Sequence, residues 1–286
     1  MDINAIKTIG VLGAGTMGNG IAHVCAKAGL NVILRDVEKR FLDRALETIG
    51  KNLDREIKKG SVAEADKPGI LARIRPATDL AALAAADFVV EAVPEVAPLT
   101  IEMLTALDAQ LRPEVIMASN TSSISITALA AATKRPDKFI GMHFMNPVPV
   151  MVLVEVIRGL QTSDETFALT MALAEKAGKK PVAVNDYPGF VSNRVLMPMI
   201  NEAAYCVMEG VATAQAVDDV MKMGMNHPMG PLALADLIGL DTCVNIMEVL
   251  YQGFADSKYR PCPLLKKMVA AGWLGRKSGR GFHTYS

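Results

Sequence analysis

The stretch TIGVLGAGTMGNGIAHVCAKAGLNVILRD, residues 8–36, decides the fold. Residues 8–12 form an apolar run of strand length, 17–28 read as a helix, and NVILRD (31–36) reads as a second strand. Between the first strand and the helix lies GAGTMG, residues 13–18, a GxGxxG turn. Gly13 permits the tight turn, Gly15 lets a pyrophosphate approach the backbone, and Gly18 lets helix pack on strand. Ala14, Thr16 and Met17 complete the loop at a helix N-terminus, where unpaired N–H groups favour phosphate. Asp36 ends the second strand, about twenty residues on, where a carboxylate accepts both ribose hydroxyls. That favours NAD over NADP, against which Arg35 stands as a residue able to receive a 2′-phosphate.

Outward from this unit the alternation continues. A long helical tract over 38–59 and a second helical patch over 63–73 precede DFVVEAV (87–93) as strand. Then come a helix over 99–111, VIMASN (115–120) as strand, a helix over 126–132, and the strands KFIGMHF (138–144) and LVEVIR (153–158). A helix over 165–177 and the strand PVAV (181–184) complete the series. Strands alternating with helices argue a mainly parallel sheet covered on both faces, an α/β domain of the Rossmann type. About fifty residues separate NVILRD from DFVVEAV, more than a plain crossover needs. The excess, about 38–75, is charged (KNLDREIKKG, 51–60) and is expected to project from the sheet as an exposed helical pair.

After DYPGF (186–190) period-two alternation ends, and 191–208, 214–223, 232–250 and 264–270 read as helices. The boundary expected is 1–187 for the α/β domain and 188–286 for a smaller all-α domain. That helical part is apolar on most faces, which suggests a surface hidden in a homodimer.

The 286 residues are 51% hydrophobic and 21% charged, which allows a sizeable core. Thirty basic and thirty acidic residues cancel, so no polybasic surface for nucleic acid or membrane is expected. Cysteines at 25, 206, 243 and 262 have no metal-ligand or CxxC spacing and read as reduced, buried thiols. No signal peptide or membrane span is read, so cytoplasm is the expected compartment. His23 and Cys25, on the first helix, are read as core.

One stretch is at odds with its surroundings. GMHFMNPVPVMVLVEV (141–156) reads as strand, turn, strand, yet carries His143 and Glu155. Core strands avoid ionisable groups unless they are paired. Such a pair is either a satisfied structural contact or a base with the group that orients it, and spacing alone leaves both open.

GAGTMG, ASNTSS (118–123), GMHFMNPVPVM (141–151), LVEVI (153–157), PGFVSNR (188–194), NHPMGPLALADLIGLD (226–241) and GRKSGRGF (275–282) together resemble the L-3-hydroxyacyl-CoA dehydrogenases, nearest their bacterial 3-hydroxybutyryl-CoA branch. The similarity runs in order along essentially the whole chain. It implies NAD-dependent oxidation of (S)-3-hydroxybutyryl-CoA, a short-chain 3-hydroxyacyl-CoA, to acetoacetyl-CoA, and the reverse reduction. It also implies His143 as general base and acid, with Glu155 orienting it. Ser122 and Asn193 are implied as polar partners of the substrate oxygens; from the residues alone Ser123 or Ser125 is the better helix cap. Glu95, Asn146 and Lys277 are implied near the cofactor, and Asn120 is a further candidate there. For the CoA nucleotide the resemblance points to Lys59, with Asn52 on the same side and Arg55 one helical turn before it.

The chain departs from the family at Thr100, where a lysine is frequent near the cofactor. Pro94 and Pro98, Met145 and Val152 depart as well. Two other functions compete with this one. A related two-domain class oxidises free 3-hydroxy acids with a lysine on the helical domain, and 191–208 has none. A crystallin-like bulk protein would tolerate loss of His143, Glu155, Ser122 and Asn193, and all four are present.

Overall fold

A computed structural model describes residues 2–285, which divide after Asp186 into two compact units. In the first, β1 (Thr8–Leu12), α1 (Thr16–Lys27) and β2 (Asn31–Arg35) form the opening unit. They are followed by α2 (Lys39–Lys58), α3 (Lys67–Ala72), β3 (Ile74–Ala77), β4 (Phe88–Glu91), α4 (Ala97–Asp108) and β5 (Ile116–Ser119). Next come α5 (Ile126–Ala131), β6 (Phe139–Phe144), β7 (Leu153–Arg158), α6 (Asp164–Lys176) and β8 (Lys180–Asn185). The eight strands make one sheet in the order β3-β2-β1-β4-β5-β6-β7-β8. Every pairing is parallel except β6 with β7. The 145–152 connection is too short for a helical crossover, so β7 must return antiparallel. The order in which successive strands are added reverses between β1 and β4, the switch point at which such sheets bind nucleotides.

Strand alternation divides the core. Val32, Leu34, Val90, Ala118, Ile140 and Met142 pack with α1, α2 and α6 in one cluster. On the other face Leu83, Leu104, Leu107, Ile126 and Leu129 are fully buried. This is the two-faced α/β layering expected.

The excursion after β2 is not a free projection. Leu42, Ala45, Ile49 and Leu53 recur at helical spacing on α2 and are buried in the same cluster as α1. Only the opposite, charged face meets solvent. The excursion also ends earlier than expected, because Ile74–Ala77 is an edge strand beside β2. Four residues with one buried side chain and a proline carry no period-two signal.

The second unit contains α7 (Ser192–Met208), α8 (Ala214–Gly224), α9 (Pro231–Ile238), α10 (Leu240–Phe254) and α11 (Pro263–Ala270). Its own core includes Met197, Ile200, Leu232, Leu240, Met247, Leu250 and Leu265. The expected single helix over 232–250 is two helices. Gly239, at φ 105°, ends α9 and begins α10 in a conformation that L side chains rarely adopt. Asp236 accepts from the backbone N–H groups of Phe282 and His283 and from the Tyr285 hydroxyl, fastening the C-terminal residues to α9. Among the described residues no helix is long and apolar enough to cross a membrane, and no group of His, Cys, Asp and Glu could hold a metal ion.

Candidate active site

The glycine loop begins at the C-terminal end of β1. Gly13 has φ 102°, and a Cβ there would stand 2.5 Å from the Ala92 carbonyl oxygen. At Gly18 a Cβ would stand 1.8 Å from the Gly13 oxygen. At Gly15 nothing lies within 4 Å, so the loop leaves open room where a phosphate must approach backbone. No side chain caps α1, and Asn19 Nδ2 donates to the Gly15 carbonyl at 2.7 Å. Asp36 accepts the Ala14 N–H at 2.7 Å and the Val37 N–H at 2.7 Å, which fixes the carboxylate at the mouth of the loop.

A cleft of about 950 Å³ runs past these residues. Gly13, Ala14, Gly15, Thr16, Met17, Asp36 and Asn146 line it, and so does Asn52, which was expected on the CoA side. So do Phe41, Arg44, Thr48, Leu99 and Met103, which carried no sequence signal beyond helical spacing. The glycine turn, the open space at Gly15 and a carboxylate at the mouth of the loop fit a dinucleotide.

A smaller recess of about 220 Å³ shares Met17, Ala92 and Val93 with the cleft and is otherwise lined by Glu91, Glu95, Thr100, Asn120, Thr121 and Ile124. Its walls are the C-terminal ends of β4 and β5. Glu95 accepts the Ser122 N–H at 3.0 Å, the Ser123 N–H at 3.1 Å and the Ser123 hydroxyl at 2.9 Å, with the Thr121 hydroxyl closer still. The carboxylate therefore holds the 121–123 loop that carries Ser122. Ser125 caps α5 by accepting the Ala128 N–H. Asn120 is buried, and its carbonyl accepts the Phe144 N–H at 2.9 Å, tying β5 to β6 beside His143.

His143 and Glu155 are register partners across β6 and β7. Opposite residues of an antiparallel pair point to one face. His143 Nδ1 donates to Glu155 Oε2 at 2.8 Å, with both side chains buried. Behind the connecting loop, Lys179 donates to the carbonyls of Val148 and, at 2.8 Å, Met151. Burial holds the Lys179 amine below its ordinary value. Read from sequence, it is one more lysine ahead of a strand.

Arg55 Nη1 donates to Asn52 Oδ1 at 2.9 Å on α2, and Lys59 is the exposed C-cap of that helix. Two of the expected site residues belong to the second unit. Asn193 is the buried second residue of α7, its N–H donating to the Gly189 carbonyl at 3.1 Å. Lys277 lies in a short turn near the C-terminus, and its ammonium donates to Asp241 at 2.7 Å. Thr100, at the usual lysine position, is buried in the wall of the recess.

Residues 8–187 match the 3-hydroxyacyl-CoA dehydrogenase NAD binding domain, and residues 189–285 match the C-terminal domain of the same family. The chain is 59% identical to the probable 3-hydroxybutyryl-CoA dehydrogenase of Bacillus subtilis, with 98% of each chain covered. It is 55% identical to the 3-hydroxybutyryl-CoA dehydrogenase of Bradyrhizobium diazoefficiens, with 98% and 96% covered. Among solved structures, (S)-3-hydroxybutyryl-CoA dehydrogenase from Ralstonia eutropha superposes with a TM-score of 0.96 at 56% identity, with 98% and 99% covered. A glycine loop fitted to a dinucleotide, a buried histidine–glutamate pair and both domain matches agree, and the chain belongs to the 3-hydroxyacyl-CoA dehydrogenase family.

Proposed function

We propose that the chain oxidises (S)-3-hydroxybutyryl-CoA and similar short-chain thioesters to 3-ketoacyl-CoA, and runs the reverse reduction. Bound NAD supplies the hydride acceptor. His143 takes the proton of the 3-hydroxyl through Nε2, because Nδ1 is directed to Glu155. Glu155 holds the ring in that orientation and offsets the charge of the imidazolium once it forms, the role of the orienting acid in a hydrolase triad. In reduction the imidazolium returns the proton to the forming alkoxide. Ser122 and Asn193 serve the substrate oxygens as donors. Gly13, Ala14, Gly15, Thr16, Met17, Gly18 and Asp36 hold the dinucleotide, with Glu95, Asn120, Asn146 and Lys277 as further contacts. Asn52, Arg55 and Lys59 serve the CoA nucleotide.

The observation that carries this reading is the 2.8 Å bond between His143 and Glu155 inside a sheet core. The free-acid alternative has no such support, since α7 contains no lysine. We assign residues 1–187 as the NAD-binding domain and residues 188–286 as the helical domain that adds Asn193, Lys277 and the dimer contacts. The second unit exposes Val195, Val211, Val220 and Met223 by 59–80%, and these suit burial in a homodimer. The enzyme works in the cytoplasm on this reading. Initial rates with acetoacetyl-CoA and longer 3-ketoacyl-CoAs, each with NADH and NADPH, test the activity. NADH with acetoacetyl-CoA should give the highest kcat/KM, and no turnover of any thioester would overturn the reading. Sedimentation of the purified chain tests the dimer.

A further inference from the structure

Glu91 is the last residue of β4, only 3% exposed, and the mechanism above does not use it. It accepts the Ser119 hydroxyl at 2.5 Å and the Val93 N–H at 2.7 Å. Ser119 Oγ in turn accepts the Thr121 N–H at 3.2 Å. Glu91 lines the 220 Å³ recess, whose walls share Met17, Ala92 and Val93 with the larger cleft. On the proposed function, Asp36 holds the adenosine ribose at the β2 end of the cleft. Across the switch point, the other half of a dinucleotide then reaches the ends of β4 and β5, where the recess lies.

The groups facing Glu91 are few. β1 offers Leu12 in register, β5 offers Ser119, α1 offers Met17 and α4 offers Thr100. The segment after β4 brings Glu95, the other ionisable group of the recess wall; no Lys, Arg or His lines it among the described residues. An oxidised nicotinamide ring carries a positive charge and a reduced ring carries none. A carboxyl that gains a nearby cation is held more firmly in its ionised form.

We infer that Glu91 is the group that makes the protein's preference for oxidised over reduced cofactor depend on pH, ionising as the cationic ring enters the recess. This rests on the reading that the nicotinamide half lies over β4 and β5. Burial supports it by pushing the free carboxyl up to about 7, against the hydrogen bond from Ser119. The sign follows. Below that value Glu91 is neutral, and NAD⁺ binding must release a proton. Above it the carboxylate is already present, so NAD⁺ binds more tightly and releases none. NADH shows little of either effect.

The experiment uses the full chain. NADH dissociation constants come from fluorescence, and those of NAD⁺ and ADP-ribose from calorimetry, between pH 6 and pH 8.5. Proton release comes from calorimetry in buffers of different ionisation enthalpy. In wild type the NAD⁺ affinity should rise by up to about tenfold between pH 6 and pH 8.5, the span set by a free carboxyl at about 7. NADH and ADP-ribose affinities should stay nearly flat. Glu91→Gln should abolish the NAD⁺ step and its proton release while His143 remains in place. Ser119→Ala, which removes a bond favouring the ionised form, should move the step to higher pH and keeps the test open should Glu91→Gln not fold. An unchanged step in Glu91→Gln, or an unmoved one in Ser119→Ala, overturns the inference. Equal proton release with ADP-ribose overturns the placement of the nicotinamide half, leaving the His143 chemistry untouched.

Discussion

His143 on β6 and Glu155 on β7 face each other across the antiparallel seam of the sheet, imidazole Nδ1 to carboxylate at 2.8 Å. The seam matters because a parallel neighbour of β6 would need a long crossover before returning to that position. An eight-residue loop instead delivers the carboxylate opposite the imidazole, on the same face and in register.

His143→Gln should therefore lower kcat by about 10²–10⁴-fold, the usual worth of general acid–base catalysis. NADH binding should stay within a fewfold of wild type. Glu155→Gln should lower kcat by less, because the amide still orients the ring but no longer offsets its charge. Steady-state rates with acetoacetyl-CoA and fluorescence titration of NADH separate the two effects. A His143→Gln variant within a fewfold of wild-type turnover would leave the pair a structural contact.

The glycine loop makes a paired prediction. A methyl at Gly18 would meet the Gly13 carbonyl oxygen at 1.8 Å, so α1 must move away from β1. Gly18→Ala should lose NADH binding and roughly 1–3 kcal/mol of stability, as overpacked sites do. At Gly15 the methyl meets no atom of the chain, and φ is −64°. Gly15→Ala should keep the melting temperature near that of wild type while weakening NADH, because the methyl occupies space the pyrophosphate needs. Melting curves beside NADH titrations distinguish the two variants. Equal melting temperatures would mean the Gly13–Gly18 contact is not tight.

Residues whose role depends on backbone geometry were the legible ones. GAGTMG joins strand to helix in consecutive residues, so the turn, its open side and Asp36 can be read together. His143 and Glu155 could be picked out as ionisable groups in core strands. Their pairing as base and orienter needed either the family resemblance or the β6–β7 register. Glu91 gave no signal, because a carboxylate ending a strand is ordinary and only burial with Ser119 sets it apart. The break at Gly239 was hidden inside a continuous apolar pattern. The inward face of α2 was masked by the charges around it, although Leu42, Ala45, Ile49 and Leu53 were at helical spacing throughout.

His23 gives a pH prediction for stability. It is fully buried on α1, with Glu56 3.5 Å from Nε2 and neither ring nitrogen hydrogen-bonded. Burial holds the imidazole below its ordinary value of 6.5, with Lys27 and Lys179 adding to the effect and Glu56 opposing it. Unfolded chain therefore binds a proton that folded chain refuses. The neutral form's stability is fully present above 6.5 and is lost as pH falls from there toward the lowered folded-state value. The decline is at most about 1.4 kcal/mol per pH unit for one proton. Urea unfolding at pH 5.5 and pH 7.5 should show a drop in wild type that is smaller in His23→Leu. Parallel drops in both proteins would assign the acid sensitivity to other groups.

The end of α2 holds the cations assigned to the CoA nucleotide. Lys59 is its exposed C-cap, and Arg55 lies one turn earlier with its guanidinium bonded to Asn52. A helix C-terminus carries partial negative charge, which opposes a phosphate unless cations outweigh it. If the CoA nucleotide binds here, Lys59 and Arg55 are those cations. Lys59→Ala should then raise KM for acetoacetyl-CoA while NADH affinity and kcat hold. Hydrogen bonds to charged groups are worth roughly 1.5–3 kcal/mol, about ten- to hundredfold, and exposure pulls the effect toward the lower end. Added salt should mimic the substitution by screening. Acetoacetyl-pantetheine, which lacks the nucleotide, is the discriminating substrate, and on it wild type and Lys59→Ala should perform alike. A variant equally poor on both substrates would show the lysine acting through the fold. A variant normal on both would place the CoA phosphates elsewhere, with Lys59 a solvated charge.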